Sequence, residues 1–335
     1  MILEGISLIN LVKIRAEAKK VEREKQAQIK RQQDQIKRQQ EYKQELLDLK
    51  KLYIPKVEME FDIPKILHLY WDGSPMSKLQ TLTPITFHKQ NPDWKINLYI
   101  PKQKYTGDDK YVPVYTGKDY FEKLSYVNII EFDLKDYGIR EDLHDILRSD
   151  IFRYQILYEQ GGMWSDFDVL WLKPISHIKD VDHVNNIKKF GFNVCFFDDI
   201  ILHHNIGILL SIKNHPFYKN LINQTAIECS KNKKLSHQIF GVDLWHNLYP
   251  SLSKLLKKYD DCLGIKYKTF YPYSIFALNK LYKNNDISVI DDNTICIHWF
   301  NGHSLTKEYI NNGCIQECAM TYFLNLVDPD FYNDL

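Results

Sequence analysis

The sequence predicts an α/β fold, a mixed and mostly parallel sheet flanked by helices, preceded by an N-terminal helical extension. Two observations carry this expectation. From about residue 56 onward, short apolar runs alternate with segments whose apolar residues recur every three or four positions, which is the pattern of strands covered by helices. Before that point the texture is different. Positions 11–52 contain neither Gly nor Pro and are dominated by Lys, Arg, Glu, Gln and Ala, which together favour one long helix.

The extension comes first, and Pro55 stops it. Its best seven-residue series, Ile14, Val21, Gln28, Gln35, Tyr42 and Leu49, places two Gln at the centre, so neither a coiled coil nor an oligomer follows. The expected division is a basic helical arm over 1–55 and a single α/β unit over 56–335. In that unit the first strand spans 65–70 (KILHLY), and WDGSP turns the chain into a helix over 77–90. Asn91-Pro92-Asp93 breaks the helix, and a strand over 95–100 completes a β-α-β start. A helix over 143–159 carries Ile146, Leu147, Ile151, Tyr154, Leu157 and Tyr158 on one face, and Gly161-Gly162 ends it. A strand over 163–172 then runs into Lys173-Pro174. Strands over 193–197 and 206–211 flank a loop, and Asn214-His215-Pro216 opens a further helix.

Composition narrows the classes. The 335 residues are 44% apolar and 26% charged, which supplies a large core and excludes bulk disorder. A formal net charge of +1 argues against a protein whose whole surface binds polyanions, but it conceals a head of +5 over 1–51 on a body of −4. That head fits an anionic surface, and equally a solvated helix. The opening residues MILEGISLINLV lack a basic leader and a small-residue cleavage site, and no run reaches the roughly 18 apolar residues that a bilayer requires. A cytoplasmic protein of a bacterium or virus is expected. Six cysteines spread through the C-terminal half read as reduced thiols. Cys296, His298, Cys314 and Cys318 do not have the spacing of a zinc finger, which favours small buried side chains over a zinc site.

The chemistry concentrates between residues 149 and 168. Read on one strand, Asp166 and Asp168 face the same side while Phe167 faces the other. Two carboxylates so close repel unless a proton or a cation lies between them, and carboxylate oxygens suit Mn2+ or Mg2+. Such an ion keeps positions open for a diphosphate. Asp150 and Arg153, at i and i+3 of the preceding helix, set a carboxylate beside a guanidinium, groups able to hold hydroxyls and a phosphate respectively.

Three segments carry a family resemblance. SDIFRYQILYEQGGMWSDFDVLWLKP at 149–174 resembles the donor-sugar-binding D-x-D region of glycosyltransferase family 32 and its relatives, which include the glucosylating domain of large clostridial toxins. IPKILHLYWDG at 63–73 resembles that family's opening strand, and HHNIGILLSIKNHPFY at 203–218 resembles a later strand and helix start. The resemblance spans about 63–300 and implies a GT-A fold, Rossmann-like in its sheet. It implies transfer of a sugar, with retention of configuration, from a nucleotide-sugar donor, UDP-linked by preference and GDP-linked as the alternative, to an acceptor hydroxyl. It also implies roles: Asp168 as direct metal ligand, Asp166 on ribose and metal, Asp150 and Arg153 on the donor sugar and its phosphate. Trp71 would stack on the base, Trp164 would stand near the donor, and Asn205 would lie at the reacting sugar. His298-Trp299 corresponds to the segment that closes over the diphosphate, but IHWFNGHSL departs from the family's Ser-Trp ending, which leaves His298 open as the third metal ligand.

Two other readings stand beside this one. A two-carboxylate metal-dependent hydrolase would use water as acceptor; a glycosidase of that kind needs room for a sugar between its carboxylates, which residues two apart do not leave. An adaptor acting through its basic helix would be indifferent to Asp166. The donor's sugar and the acceptor, whether glycan, protein or modified nucleic acid, are not encoded in any single residue.

Overall fold

The computed structural model describes residues 62–105, 115–180, 189–196, 205–231 and 235–334, with parts of 19–40. By its contacts the chain divides into Met1–Lys51 and Leu52–Leu335. In the first unit the described residues are helical and exposed. The remainder of the helix expected over 11–52, and its stop at Pro55, lie outside the described residues, as do His203 and His204.

In the second unit β1 (Ile66–Tyr70) leads through the 71–74 turn to α1 (Lys78–Gln90). Ser77 and Gln80 form a reciprocal capping box that starts this helix. β2 (Lys95–Pro101) and β3 (Asn128–Phe132) follow, then α2 (Asp145–Gln160), β4 (Gly162–Ser165), β5 (Val169–Trp171), β6 (Phe192–Phe196) and β7 (Ile208–Ser211). Next come α3 (Pro216–Ser230), α4 (Val242–Leu248), α5 (Leu252–Lys258), β8 (Cys262–Lys266), α6 (Leu278–Tyr282), β9 (Cys296–His298), α7 (Ser304–Asn311) and α8 (Ala319–Val327). Seven strands form one sheet in the order β3-β2-β1-β4-β7-β6-β8. Four of its pairings are parallel and the two that involve β7 are antiparallel, so the sheet is mixed and mostly parallel, as the sequence predicts.

One expected element is corrected. The strand predicted over 163–172 is two strands in two sheets: β4 belongs to the large sheet, and β5 pairs antiparallel with β9 in a sheet of two. Asp166 and Asp168 therefore lie in the crossing between sheets and not on a strand. The cause is α1, which offers β5 hydrogen-bonding partners on its other edge. The Thr83 hydroxyl donates to the Phe167 carbonyl at 2.9 Å and accepts the Val169 amide at 3.2 Å, while Thr86 Oγ1 accepts the Trp171 amide at 3.0 Å. A second apolar cluster, including Leu170, Ile297, Trp299, Tyr309, Met320 and Phe323, fills the space beneath the small sheet.

The turn from α2 into β4 needs glycine twice. Gly161 and Gly162 have φ of +67° and +93°, and a Cβ on Gly162 would stand 2.6 Å from the Ile66 carbonyl. His68, wholly buried in β1, braces this turn: its Nε2 lies 2.8 Å from the Gly161 carbonyl and its Nδ1 3.2 Å from the Tyr99 hydroxyl. The neutral ring donates to the first and accepts from the second. Burial lowers the His68 pKa to about 4, despite the Gly161 hydrogen bond, which acts in the opposite direction. Above the ordinary histidine value both folded and unfolded states are neutral and stability is full; as pH falls from about 6.5 to about 4 the unfolded state takes the proton first. Over that window His68 is expected to cost the fold about 3 kcal/mol, measured by urea unfolding across pH. His68→Gln, whatever its own stability, should lack that part of the slope.

Candidate active site

A cleft of about 250 Å³ opens where the parallel strands β1 and β4 end. Tyr70, Trp71 and Asp72 form one wall; Asp145, Ser149 and Arg153 of α2 form another; Trp164, Asp166, Phe167 and Asp168 form the floor, and Asn301 and Gly302 close one side. The 71–74 turn holds Trp71 in place. Its indole Nε1 donates to the Ser74 carbonyl at 2.7 Å, Asp72 accepts the Ser74 amide and hydroxyl, and the ring packs against Phe167 at 5.2 Å.

Each motif carboxylate is anchored from a different sheet. The Asp166 amide donates to the Gly207 carbonyl at 2.8 Å, just before β7, and its Oδ1 accepts the Trp164 indole N–H at 2.9 Å. The Asp168 carbonyl accepts the Trp299 amide at 2.8 Å, and its Oδ2 accepts the Asn301 amide at 2.8 Å, just beyond β9. The register of the small sheet sets Val169 opposite His298, and this brings His298 Nε2 within 3.0 Å of Asp168 Oδ1. Asp166, Asp168 and His298 thus offer one ligand atom each, all within 4.8 Å of one another. Two carboxylate oxygens and an imidazole nitrogen are a donor set that suits Mn2+. Among the described residues no cysteine joins this group, and Cys296, Cys314 and Cys318 are buried and form no disulfide.

Arg153 is the hub of the charges. Its Nη2 lies 2.7 Å from Asp150 Oδ1 and 3.3 Å from Asp166 Oδ1, its Nη1 donates to the Ile206 carbonyl at 2.7 Å, and its guanidinium sits 5.0 Å from the centre of the Trp164 ring. Burial drives the Asp150 carboxyl up to about 7, against the pull of Arg153, and the charge of Asp166 adds to the rise. Burial raises Asp166 too, although Arg153 opposes the shift. Asp168 goes the other way: burial raises it, but His298 and the Asn301 amide together hold it below the usual carboxylate range. His298, which burial would lower, is raised above the ordinary histidine value by Asp168.

Of the residues singled out in the sequence, Trp71, Arg153, Trp164, Asp166 and Asp168 line the cleft, and His298 stands directly behind Asp168. Asp150 does not line it. Its side chain is 5% exposed and paired with Arg153, which does line the cleft. Asn205 is also apart from the cleft, its Oδ1 accepting the Gly207 amide at 3.0 Å. Sequence reading missed Asp145, Ser149, Asn301 and Gly207. The first two were open to it, since Asp145, Ser149 and Arg153 repeat every four positions on α2 and share a face.

Residues 86–189 match the family model described as the glycosyltransferase sugar-binding region containing the DXD motif. A comparison with curated proteins finds no match. Solved structures similar to this chain include the PaToxG glycosyltransferase, at 20% identity over 58% of this chain and 74% of that one with a TM-score of 0.40. The catalytic domain of alpha-toxin from Clostridium novyi is similar at 13% identity over 50% of this chain and 59% of that one, with a TM-score of 0.34. The apo-form glycosyltransferase GlyE of Streptococcus pneumoniae is similar at 14% identity over 78% and 62%, with a TM-score of 0.40. This chain spans less than two thirds of the last two. Among the described residues no helix is long and apolar enough to cross a membrane.

Removing Asp150 takes the shortest ion pair from the buried Arg153 and leaves it the longer one to Asp166. Asp150→Ala is expected to lower the unfolding free energy by about 3 kcal/mol in urea titrations. Glu141→Ala, which breaks the exposed pair with Lys135, should change it little.

Proposed function

With a DXD-containing glycosyltransferase sugar-binding region over residues 86–189 as the premise, we propose that residues 56–335 transfer a sugar from a nucleotide-sugar donor, UDP-linked in preference to GDP-linked, to an acceptor hydroxyl. The observation that carries this reading is the convergence of one ligand atom each from Asp166, Asp168 and His298 to within 4.8 Å, where the two aspartates line a cleft that Trp71 also lines. These three residues would hold a divalent cation, Mn2+ in preference to the harder Mg2+ because one donor is an imidazole nitrogen. Bound there, the cation offsets the negative charge that grows on the leaving diphosphate.

The chain's own groups do the positioning. Trp71, held by the Ser74 carbonyl, offers its face to the base. Trp164 and Arg153 fix the rotamer of Asp166 from two sides, so its second oxygen is the one free to bind. Asp150 holds Arg153 against the floor, and the guanidinium contributes a fixed positive charge beside the diphosphate. Asp145 and Ser149, on the α2 wall, supply hydrogen-bonding groups to donor hydroxyls. In the reaction the bond from the anomeric carbon to the diphosphate oxygen breaks, and the acceptor oxygen bonds to that carbon on the same face. The acceptor's proton passes to the leaving phosphate oxygen. Asn205 would influence the reacting sugar only through the Gly207 backbone that it holds. The +5 arm over 1–51 would meet an anionic acceptor or surface.

Incubating the protein with UDP- and GDP-sugars in Mn2+ should release nucleotide from one donor. Chelator, Asp166→Asn and Asp168→Asn should each reduce that release by about 100-fold or more. Release unaffected by all three would sink the reading. Trp71→Ala is expected to raise the donor KM about ten-fold with little change in kcat, because the stacking it removes is worth about 1–3 kcal/mol. Anomeric retention is tested by following the product in proton NMR.

A further inference from the structure

Beneath the motif carboxylates lies a residue that offers them no side chain. Gly207 precedes β7, and its φ is not in the left-handed region, so its backbone conformation alone does not call for glycine. Its surroundings do. A Cβ on Gly207 would stand 2.9 Å from Asp166 Oδ2, 3.1 Å from His298 Nε2 and 3.1 Å from the Tyr271 hydroxyl. Polar atoms from three separate segments therefore converge on the bare face of one glycine, and two of those segments carry the proposed cation ligands.

The third atom is the unexpected one. Tyr271 is wholly buried, and its hydroxyl has no hydrogen-bond partner among the described residues. An unsatisfied buried hydroxyl is costly to keep unless something outside the polypeptide meets it. Its ring is not free to turn away, being stacked on Tyr267 at 4.8 Å and packed 5.1 Å from the His298 imidazole. A phenol keeps its proton at neutral pH, so it faces this point as a donor in search of an oxygen.

We propose that Gly207 and Tyr271 complete the cation site: the glycine leaves the volume that the ion and its oxygen ligands need, and the Tyr271 hydroxyl donates a hydrogen bond to an oxygen in the ion's coordination sphere. Tyr271 is a positioning residue in this scheme. The inference rests on the transferase reading for the presence of a cation, and on Gly207 and Tyr271 alone for the rest.

The test is direct binding of Mn2+ to the full chain without any donor, with free Mn2+ read by electron paramagnetic resonance. Tyr271→Phe removes only a hydroxyl that bonds to nothing among the described residues, so it should unfold in EDTA within about 3 °C of the unaltered chain while binding Mn2+ about ten-fold more weakly. Gly207→Ala, if it folds, should bind more weakly still. Unaltered Mn2+ affinity in Tyr271→Phe, or in a folded Gly207→Ala, overturns the corresponding half of the proposal. If Gly207→Ala does not fold, Tyr271→Phe alone decides. A chain that takes up no Mn2+ at all overturns the metal-dependent reading and this inference with it; binding by the unaltered chain and both variants alike overturns this inference only.

Discussion

Between Ser165 and Val169 the chain leaves one sheet and enters another, and the hydrogen bonds that hold this crossing are the same ones that position the carboxylates. Asp166 is tied by its amide to the approach to β7, and Asp168 is tied by its carbonyl and carboxylate to the exit of β9. Neither residue could be moved without breaking a main-chain bond. The side chain of Thr83 holds Phe167 between them from below, so the three residues of the motif are fixed from three directions. The close approach of the two carboxylates thus follows from where two sheets meet, and the side chains inherit it.

Charge balance explains why so many acids tolerate one place. Asp150, Asp166 and Asp168 surround Arg153 and His298: Arg153 lies within 3.3 Å of the first two, and His298 Nε2 lies 3.0 Å from the third. The partners are not equivalent. Asp168 is held as a carboxylate by His298 and a backbone amide, whereas burial favours the neutral form of Asp150 despite Arg153. An array of this kind is held together by its pairs and would be expensive to leave half filled.

Much of this could be read from the sequence, and the omissions share a cause. The β-α-β start and the Gly-Gly turn follow from local periodicity and turn chemistry, which nearby residues decide, and the mostly parallel sheet is implied by the family resemblance. The break between β4 and β5 is not local. MWSDFDVLWL alternates as one strand would, and what divides it are Thr83, Thr86 and Trp299, which are roughly 80 to 130 positions away. Asp150 was legible as the partner of Arg153, but its turning away from the cleft depends on how α2 packs. Gly207 and Tyr271 carried no signal at all, because a glycine before a strand and a tyrosine in an aromatic-rich stretch are ordinary until the fold brings them to the same point.

The dispersal of the site has a consequence for its heredity. The recognisable stretch, 86–189, holds both aspartates and the arginine, but Trp71 lies before it and Gly207, Tyr271, His298 and Asn301 lie after it. A recombination that transplanted this stretch alone would transmit the motif and leave behind the hydrogen bonds that fix its two aspartates. Descent of the proposed site must therefore travel with nearly the whole unit, from the first strand to the turn beyond the last.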